Sequence, residues 1–323
     1  MNTCFIVQPI HPAGIERLAA SGIAARQASA PDMATVAREI GDSVAVITRN
    51  AGLDAAAMDA APALKVIANH GVGTNMIDLD HAGRLAIPTV FTPTANAQSV
   101  AEQAIALMLA VARRGPAGDA AVRSGDWALR YQPGMAELRG KTLGLVGFGI
   151  IGQLTARIAH LGFGMTLLAW SPNTPDATLA EAGAERAASL DALLDVADIV
   201  SLHRPLRNDT RNTIGAAQIA RMKPGAILVN TARGELVDAD ALAAALHDGR
   251  LAGAGLDVFA TEPAPVDQPL LKAPRTVFAP HLGGATDDAL RETAVQCAEQ
   301  IIEALAGRQP KHLVRPEVWE RRR

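Results

Sequence analysis

Cysteine is nearly absent from this chain, which has only Cys4 and Cys297 among its 323 residues. No Cys-x-x-Cys pair is present, and this argues against a disulfide framework and against a zinc site built from cysteines. We therefore expect no metal centre, and we expect the protein to work in a reducing compartment.

The chain also lacks a large excess of charge of one sign and a long apolar run. The net charge is −3 and the isoelectric point is near 6.2. This balance gives no electrostatic reason to bind nucleic acid, and the basic run 321–323 is too short to change it. The amino terminus has no basic region followed by a long apolar stretch, and the apolar run 104–112 is too short to span a bilayer. These absences predict a cytoplasmic protein with no nucleic-acid partner and no membrane association.

Glycine, by contrast, has a specific arrangement in the middle of the chain. Gly147, Gly149 and Gly152 follow the apolar, β-prone run Thr142–Val146 and precede the helical pattern Gln153–Leu161. This spacing suits a tight turn at the first glycine, close approach of the backbone to a pyrophosphate at the second, and close packing of the helix at the third. The amino terminus of the helix would present free N–H groups to the phosphates. A strand-like run over 164–170 completes a βαβ unit, which favours nucleotide binding over an ordinary structural turn.

The chain is long enough for two domains, and short apolar runs alternate with helical patterns along it. This alternation predicts an α/β fold with parallel sheets, whose carboxyl-terminal edges collect the ligand-binding loops. A long apolar-faced helix over 99–113 follows a connector rich in Pro, Thr and Asn, and it marks the expected crossover between domains. A final amphipathic helix over 286–305 is expected to return to the first domain, which would make that domain discontinuous.

Two loops in the first half of the chain carry candidate substrate-binding residues. Arg49 follows a strand-like run and could hold an anionic substrate group, although a solvated surface arginine would show the same pattern. The loop after the next strand contains Gly71, Val72 and Gly73, whose backbone can line a ligand. His70 in the same loop is interpreted as a hydrogen-bonded histidine rather than as a catalytic base.

Three polar segments follow successive strands of the glycine-loop half, and they contain Arg233, Asp257 with Glu262, and His281. In a doubly wound sheet such strand ends converge on the nucleotide crevice. A histidine can take the hydroxyl proton of an alcohol and return it, and a neighbouring carboxylate would favour the protonated ring. The planar, charged fork of an arginine matches a substrate carboxylate. Each residue alone has an ordinary structural alternative, but together they indicate hydride transfer to or from a hydroxy acid with a nicotinamide cofactor.

These residues stand within six segments that resemble the D-2-hydroxyacid dehydrogenase family, in its phosphoglycerate dehydrogenase and hydroxypyruvate reductase-like branch. The resemblance covers nearly the whole chain, and the segments that carry it occur in the family's order: NHGVGTNMID, NAQSVAEQAIALML, LRGKTLGLVGFGIIG, MKPGAILVNTARGELVD, GAGLDVFATEP and APHLGGAT. The resemblance implies a Rossmann-like, doubly wound parallel-sheet cofactor domain inserted into a flavodoxin-like α/β substrate domain. It assigns 1–97 and 287–323 to the substrate domain and 98–286 to the cofactor domain.

The resemblance also implies roles for the candidate residues. Arg233 would bind the substrate carboxylate and carbonyl, His281 would be the acid/base, and Glu262 would be its partner. Asp257 would help to position the nicotinamide. Arg49 matches, in a short segment, the arginine that contacts the substrate phosphate in phosphoglycerate dehydrogenases. The implied substrate-binding set is Arg49, Gly71, Val72, Gly73, Arg233 and His281, and the implied cofactor-binding set is Val72, Gly147, Phe148, Gly149, Ile150, Ile151, Gly152, Ser171, Arg204, Thr231, Ala232, Arg233, Asp257, His281, Gly283 and Gly284.

One position departs from the pattern of NAD-preferring family members. Ser171 stands about nineteen residues after Gly152, where such members place an acid that binds the ribose hydroxyls. No arginine follows it directly, although Arg204 at the end of the next strand could reach a 2′-phosphate. The expected cofactor is NAD, with NADP left open.

The residues and the resemblance together predict a dehydrogenase that interconverts a small 2-oxo acid and its D-2-hydroxy acid, with hydroxypyruvate, glyoxylate or phosphohydroxypyruvate as the oxo acid. The alternative on the same fold is a corepressor-like protein that binds and senses NAD(H). The glycine-rich stretch 115–139, with Trp127 and Tyr131, shows little periodicity. We expect it to pack on a second copy of the chain in a homodimer.

Overall fold

The computed structural model describes residues 2–323, and the chain divides into two compact units. One unit combines the chain up to Asn96 with Gly284–Arg323, and the other is Ala97–Gly283. Among residues 2–323, no helix has both the length and the hydropathy that crossing a bilayer would require.

The first unit contains a five-stranded parallel sheet with helices on both faces. Its strands are β1 Asn2–Ile6, β2 Ile23–Gln27, β3 Ala45–Thr48, β4 Val66–Asn69 and β5 Thr89–Val90. Its first helices are α1 Pro12–Ala19, α2 Met33–Glu39, α3 Ala55–Asp59 and α4 Leu79–Arg84. The strand order is β2-β1-β3-β4-β5, which is the flavodoxin-like order. Every residue of β3 and β4 is buried, as expected of central strands covered on both faces.

The second unit contains a seven-stranded parallel sheet. Its helices are α5 Ala97–Ala112, α6 Gly115–Ser124, α7 Ile150–Phe163, α8 Asp176–Glu181, α9 Leu190–Val196, α10 Ala216–Arg221 and α11 Ala239–His247. Its strands are β6 Thr142–Val146, β7 Thr166–Trp170, β8 Ala184–Arg186, β9 Ile199–Leu202, β10 Ile227–Asn230, β11 Gly253–Leu256 and β12 Thr276–Phe278. The order β12-β11-β10-β9-β6-β7-β8 reverses direction between β6 and β9, and this switch point is where doubly wound sheets bind ligands.

The chain returns to the first unit through α12 Asp287–Leu305 and ends with α13 Pro316–Trp319. The side chain of Thr286 accepts a hydrogen bond from the Ala289 amide and caps the start of α12. The buried face of α12 includes Cys297 and Ile301, which join the apolar cluster on one side of the first unit's sheet. The fold class predicted from the sequence is confirmed in both units.

The sequence patterns missed β2 and β8, which lie at the edges of the two sheets. Only Ile23 is buried in β2 and only Ala184 in β8, so neither strand has an apolar run to reveal it. The stretch 115–139 also contains more regular structure than its sequence indicated, because α6 and a 3-10 helix at Trp127–Tyr131 form there. Neither helix has a buried residue, and this explains the missing apolar periodicity.

Candidate active site

The candidate residues of the second unit follow strands that end in line with one another. Strand pairing places Val146 beside Leu202, Leu202 beside Asn230, and Asn230 beside Leu256. The same line continues from Leu256 to Phe278 in β12. Because the strands are parallel, the segments that follow them emerge at one edge of the sheet. The glycine loop and the segments that carry Arg233, Glu262 and His281 therefore share this edge.

The three glycines that follow β6, the last of them inside α7, differ in what surrounds them. Gly147 has φ of 99°, and a Cβ there would lie 2.7 Å from the carbonyl oxygen of His203. A Cβ on Gly152 would lie 2.7 Å from the carbonyl oxygen of Gly147, so the helix sits directly against the turn. Gly149 precedes the first residue of α7, and no atom lies within 4 Å of the position of its missing Cβ. The backbone at Gly149 is thus open to a ligand, while the other two glycines allow the turn to form.

The neighbouring residues fit a dinucleotide in different ways. The first N–H groups of α7, at Ile150 and Ile151, have no partners within the helix and can receive a phosphate oxygen. Phe148 is 1% exposed and packs in the apolar core, so only its backbone can face a ligand. Beyond β10, the Thr231 hydroxyl oxygen is buried, and no hydrogen-bond partner for it exists among residues 2–323. The free amides of Ile150 and Ile151, the Thr231 hydroxyl and the open backbone at Gly149 are therefore suited to binding a dinucleotide.

The Arg233 segment is held by the last residue of β10. The Asn230 side chain accepts a hydrogen bond from the Ala232 amide at 2.9 Å and donates one to the Arg233 carbonyl at 2.8 Å. A Cβ on Gly234 would lie 2.0 Å from the carbonyl carbon of Phe259, so only glycine fits where the two loops meet. Burial lowers the pKa of Arg233, while nearby Glu262 opposes that shift. No pattern in the sequence indicated that Asn230 positions this segment.

Glu262 and His281 form a direct hydrogen bond between the loops that follow β11 and β12. The Nδ1 atom of His281 lies 2.8 Å from Oε2 of Glu262. The other oxygen of Glu262 accepts a hydrogen bond of 3.0 Å from the Phe259 amide. Burial would raise the pKa of Glu262, but the hydrogen bonds from His281 and Phe259 outweigh burial and hold the pKa below its ordinary value. Glu262 is therefore a carboxylate that fixes the orientation of the imidazole ring.

Asp257 holds the turn that carries His281. Its two carboxylate oxygens accept hydrogen bonds from the amides of Leu282 and Gly283, each at 2.7 Å, and its carbonyl accepts one from the His281 amide at 2.8 Å. His281 adopts the left-handed region with φ of 56°, which residues other than glycine seldom occupy. Burial raises the pKa of Asp257, while the two amides oppose this shift. The resemblance implied that Asp257 contacts the nicotinamide. The hydrogen bonds described here give Asp257 an additional role, which is to hold the turn that carries His281.

The remaining cofactor candidates of this unit are Ser171 and Arg204. The Ser171 hydroxyl lies 2.8 Å from the hydroxyl of Thr174, just beyond β7. The Arg204 guanidinium lies 4.6 Å from the centroid of the Trp170 ring. Both residues therefore stand at the carboxyl end of β7. Gly283 accepts a hydrogen bond from the Ser99 hydroxyl through its carbonyl, in addition to its contact with Asp257.

The other candidates belong to the first unit, and their contacts with substrate or cofactor stay predictions. Arg49 donates a hydrogen bond of 2.8 Å to the Pro9 carbonyl, and burial lowers its pKa. The loop at Gly71 and Gly73 is held by the Asn69 side chain, which donates to both of their carbonyl oxygens. Val72 between them is 39% exposed and is free of these constraints. Gly284 also lies in this unit, where a Cβ would stand 2.7 Å from the Asn96 amide nitrogen.

The sequence model of the D-isomer specific 2-hydroxyacid dehydrogenase family, NAD binding domain, matches residues 105–283. The D-3-phosphoglycerate dehydrogenase of Mycobacterium tuberculosis is 42% identical over 301 residues, which are 90% of this chain and 56% of that protein. The glyoxylate reductase of Korarchaeum cryptofilum is 42% identical over 269 residues, which are 82% of this chain and 80% of that protein. The crystal structure of a glyoxylate reductase from Paecilomyes thermophila is 30% identical, covers 98% of this chain and 99% of that one, and has a TM-score of 0.86.

This chain belongs to the D-isomer specific 2-hydroxyacid dehydrogenase family. The expected family and the expected NAD or NADP cofactor are thereby confirmed. The chain spans about half the length of the mycobacterial phosphoglycerate dehydrogenases that it matches.

His203 beneath the glycine loop generates a prediction about pH. Its Nε2 atom lies 2.9 Å from the Ser201 hydroxyl, and burial lowers its pKa from 6.5 to about 4. Between these values the unfolded chain binds a proton that the folded chain does not, so stability falls as the pH falls from 6.5 towards 4. The free energy of unfolding that His203 removes between about pH 7 and about pH 4.5 amounts to about 2 kcal/mol. His203→Gln should abolish this contribution to the pH dependence.

Urea unfolding of the wild type and the variant at both pH values measures the effect. Exchange of the exposed His247 for Gln is the matched control, and it should leave the difference between the two pH values unchanged. Equal pH dependence in the wild type and His203→Gln would show that the His203 ring is accessible to protons in the fold.

Proposed function

We propose that this protein is an NAD(P)-dependent dehydrogenase that interconverts a small 2-oxo acid and its D-2-hydroxy acid. The observation that carries the proposal is the hydrogen bond between His281 and Glu262 at the sheet edge that also holds the Arg233 segment and the glycine loop. In this proposal, residues 98–286 form the cofactor domain, and residues 1–97 with 287–323 form the substrate domain.

The glycine loop and the first turn of α7 would hold the cofactor pyrophosphate, and Thr231 with Ala232 would border the cofactor beyond β10. When bound, the nicotinamide accepts or supplies the hydride. The protein residues would orient the substrate and handle the proton. The open backbone at Gly149 and the unpaired hydroxyl of Thr231 support this assignment.

Arg233 would bind the substrate carboxylate, because its permanently charged fork matches two carboxylate oxygens. His281 would exchange the hydroxyl proton through Nε2, since Nδ1 is engaged by Glu262. Glu262 would fix the orientation of the ring through this hydrogen bond. Backbone groups at Gly71 and Gly73 and the Arg49 side chain would contact the rest of the substrate.

The substrate class is a small 2-oxo acid of the hydroxypyruvate, glyoxylate or phosphohydroxypyruvate type. Relatives named glyoxylate reductase and D-3-phosphoglycerate dehydrogenase have the same level of identity to this chain, which supports the shared 2-oxo acid group rather than one side chain. Cytoplasmic localisation of the protein stays a prediction.

His281→Asn should lower kcat for reduction of the preferred oxo acid by about 100- to 10,000-fold, because the proton donor is lost. The dissociation constant of the nicotinamide cofactor should change by less than about threefold, since the dinucleotide is held mainly by the glycine loop. Absorbance of the reduced cofactor gives kcat, and fluorescence titration gives the dissociation constant.

His247→Asn is the matched control, because this exposed histidine lies on α11 and outside the proposed site. Undiminished turnover by His281→Asn would contradict the acid/base assignment. Tight cofactor binding without turnover of any of the three oxo acids by the wild type would instead favour the corepressor-like alternative.

We also propose that a second copy of the chain covers the exposed arm formed by Gly115–Ser124 and Trp127–Tyr131. Trp127 is 63% exposed and Tyr131 is 80% exposed, which is unusual for large apolar groups in a monomer. Covering these side chains would bury apolar surface and stabilise a homodimer through the cofactor domain.

The double variant Trp127→Asp and Tyr131→Asp should shift the protein from dimer to monomer in sedimentation velocity at micromolar concentration, because two charges would be buried unpaired. Val266→Asp is the control, since Val266 is 88% exposed and lies outside the arm. A wild type that sediments as a monomer would contradict the proposed dimer.

A further inference from the structure

The turn after β7 presents hydroxyl groups where NAD-preferring proteins of this fold present a carboxylate. The hydroxyls of Ser171 and Thr174 lie 2.8 Å apart, and the Thr174 amide donates a hydrogen bond of 3.1 Å to the Ser171 carbonyl. The nearest acid along the chain is Asp176, which accepts a hydrogen bond of 2.5 Å from Nε of Arg186. The turn is therefore free of an uncompensated negative charge.

Arg186 holds this turn in place through all three nitrogens of its guanidinium. Its Nη1 atom donates a hydrogen bond of 3.0 Å to the Ser171 carbonyl, and Nη2 donates to the Thr174 carbonyl. Together with the contact to Asp176, these bonds occupy all three guanidinium nitrogens. Arg186 thus stabilises the turn from behind and neutralises Asp176.

Arg204 is the cation that remains available at this place. It follows β9, and a Cβ on Gly147 would lie 2.9 Å from its Cγ, so its stem rests on the glycine loop. Its guanidinium lies 4.6 Å from the centroid of the Trp170 ring, at the end of β7. Arg204 forms neither a hydrogen bond nor a salt bridge with any residue from 2 to 323. The charges that act on it are those of Asp209 and Arg207.

We infer that the turn after β7 selects the 2′-phosphate of NADP(H) over the 2′-hydroxyl of NAD(H). Arg204 pairs with the phosphate. One hydroxyl of the Ser171–Thr174 pair donates to the other, and the hydroxyl that accepts this bond donates its own proton to the phosphate. This inference rests on the proposed function, because it assumes that the dinucleotide lies on the glycine loop. It reverses the preference for NAD that the sequence suggested.

Two physical effects favour this choice. A carboxylate would accept hydrogen bonds from the ribose hydroxyls of NAD and would repel a phosphate, and the turn provides neither effect. A guanidinium fork that has no protein partner gains a strong, charge-assisted pair only with the phosphate. The stacking of Arg204 on Trp170 keeps the fork at the end of β7 without neutralising its charge.

The competing explanation is that Arg204 serves only as a flat surface for the adenine ring. Both dinucleotides carry the same adenine, so loss of such a surface would weaken NADPH and NADH equally. Loss of a phosphate partner would weaken NADPH alone. The two explanations therefore differ in a binding measurement that needs no substrate.

The experiment measures dissociation constants of NADPH and NADH by nucleotide fluorescence, and those of 2′,5′-ADP and 5′-AMP by calorimetry. The wild type should bind NADPH and 2′,5′-ADP at least about tenfold more tightly than NADH and 5′-AMP, and the ratio should shrink as salt rises from about 50 mM to about 500 mM. Arg204→Leu should weaken NADPH by about tenfold or more and NADH by less than about threefold. Ser171→Asp should reverse the preference.

Arg157→Leu is the matched control, because this exposed arginine lies on α7 of the same unit and away from the turn; it should leave both constants unchanged. Equal weakening of both dinucleotides by Arg204→Leu, or a wild type that binds NADH as tightly as NADPH, would overturn the inference and leave the proposed dehydrogenase intact. Failure of the wild type to bind either dinucleotide would contradict the proposed function itself and the inference with it.

Discussion

The candidate active site depends on the buried carboxylate of Asp257 at the end of β11. Asp257 accepts hydrogen bonds from the amides of three consecutive residues, two through its side chain and one through its carbonyl. Asp257 is 1% exposed, so its carboxylate loses its hydration, and the amides of Leu282 and Gly283 replace part of it. The bonds hold His281 in a left-handed conformation that the chain would otherwise avoid. The position of the imidazole is therefore set by the neighbouring strand as well as by its own loop.

Hydrogen bonds also hold the other loops that follow the strands at this edge of the sheet. Asn230 holds the Arg233 segment from the end of β10, and Glu262 reaches from the loop after β11 to the ring of His281. Gly234 lets the Arg233 loop and the loop after β11 approach until a Cβ would overlap the backbone. Three side chains of different charge are thus organised by in-register parallel strands and by short contacts between their loops. This rigidity suits a reaction that needs a proton donor and a carboxylate partner at defined places.

Much of this organisation could be predicted from the sequence, because apolar strands, the glycine spacing and the polar residues beyond each strand are local patterns. The edge strands β2 and β8 escaped prediction because they are mostly exposed and have no apolar run. The hydrogen bond from the Leu282 amide to the Asp257 carboxylate joins residues that are 25 apart in the chain, and no local sequence pattern predicts it. The same holds for the turn after β7, where Arg186 and Arg204 approach Ser171 and Trp170 from separate segments. A serine at that position is visible in the sequence, but the free guanidinium beside it is a property of the fold.

The most direct test of the proposed activity follows the hydrogen that is transferred. The protein would be incubated with glyoxylate, hydroxypyruvate or phosphohydroxypyruvate and with NADH or NADPH that carries deuterium at the transferable position of nicotinamide C4. Mass spectrometry and chiral chromatography would then locate the deuterium and determine the configuration of the product. We expect deuterium at C2 of the 2-hydroxy acid and, where C2 is a stereocentre, the D configuration. Deuterium that stays on the nicotinamide with every oxo acid, or a product of L configuration, would contradict the proposed D-2-hydroxyacid dehydrogenase activity.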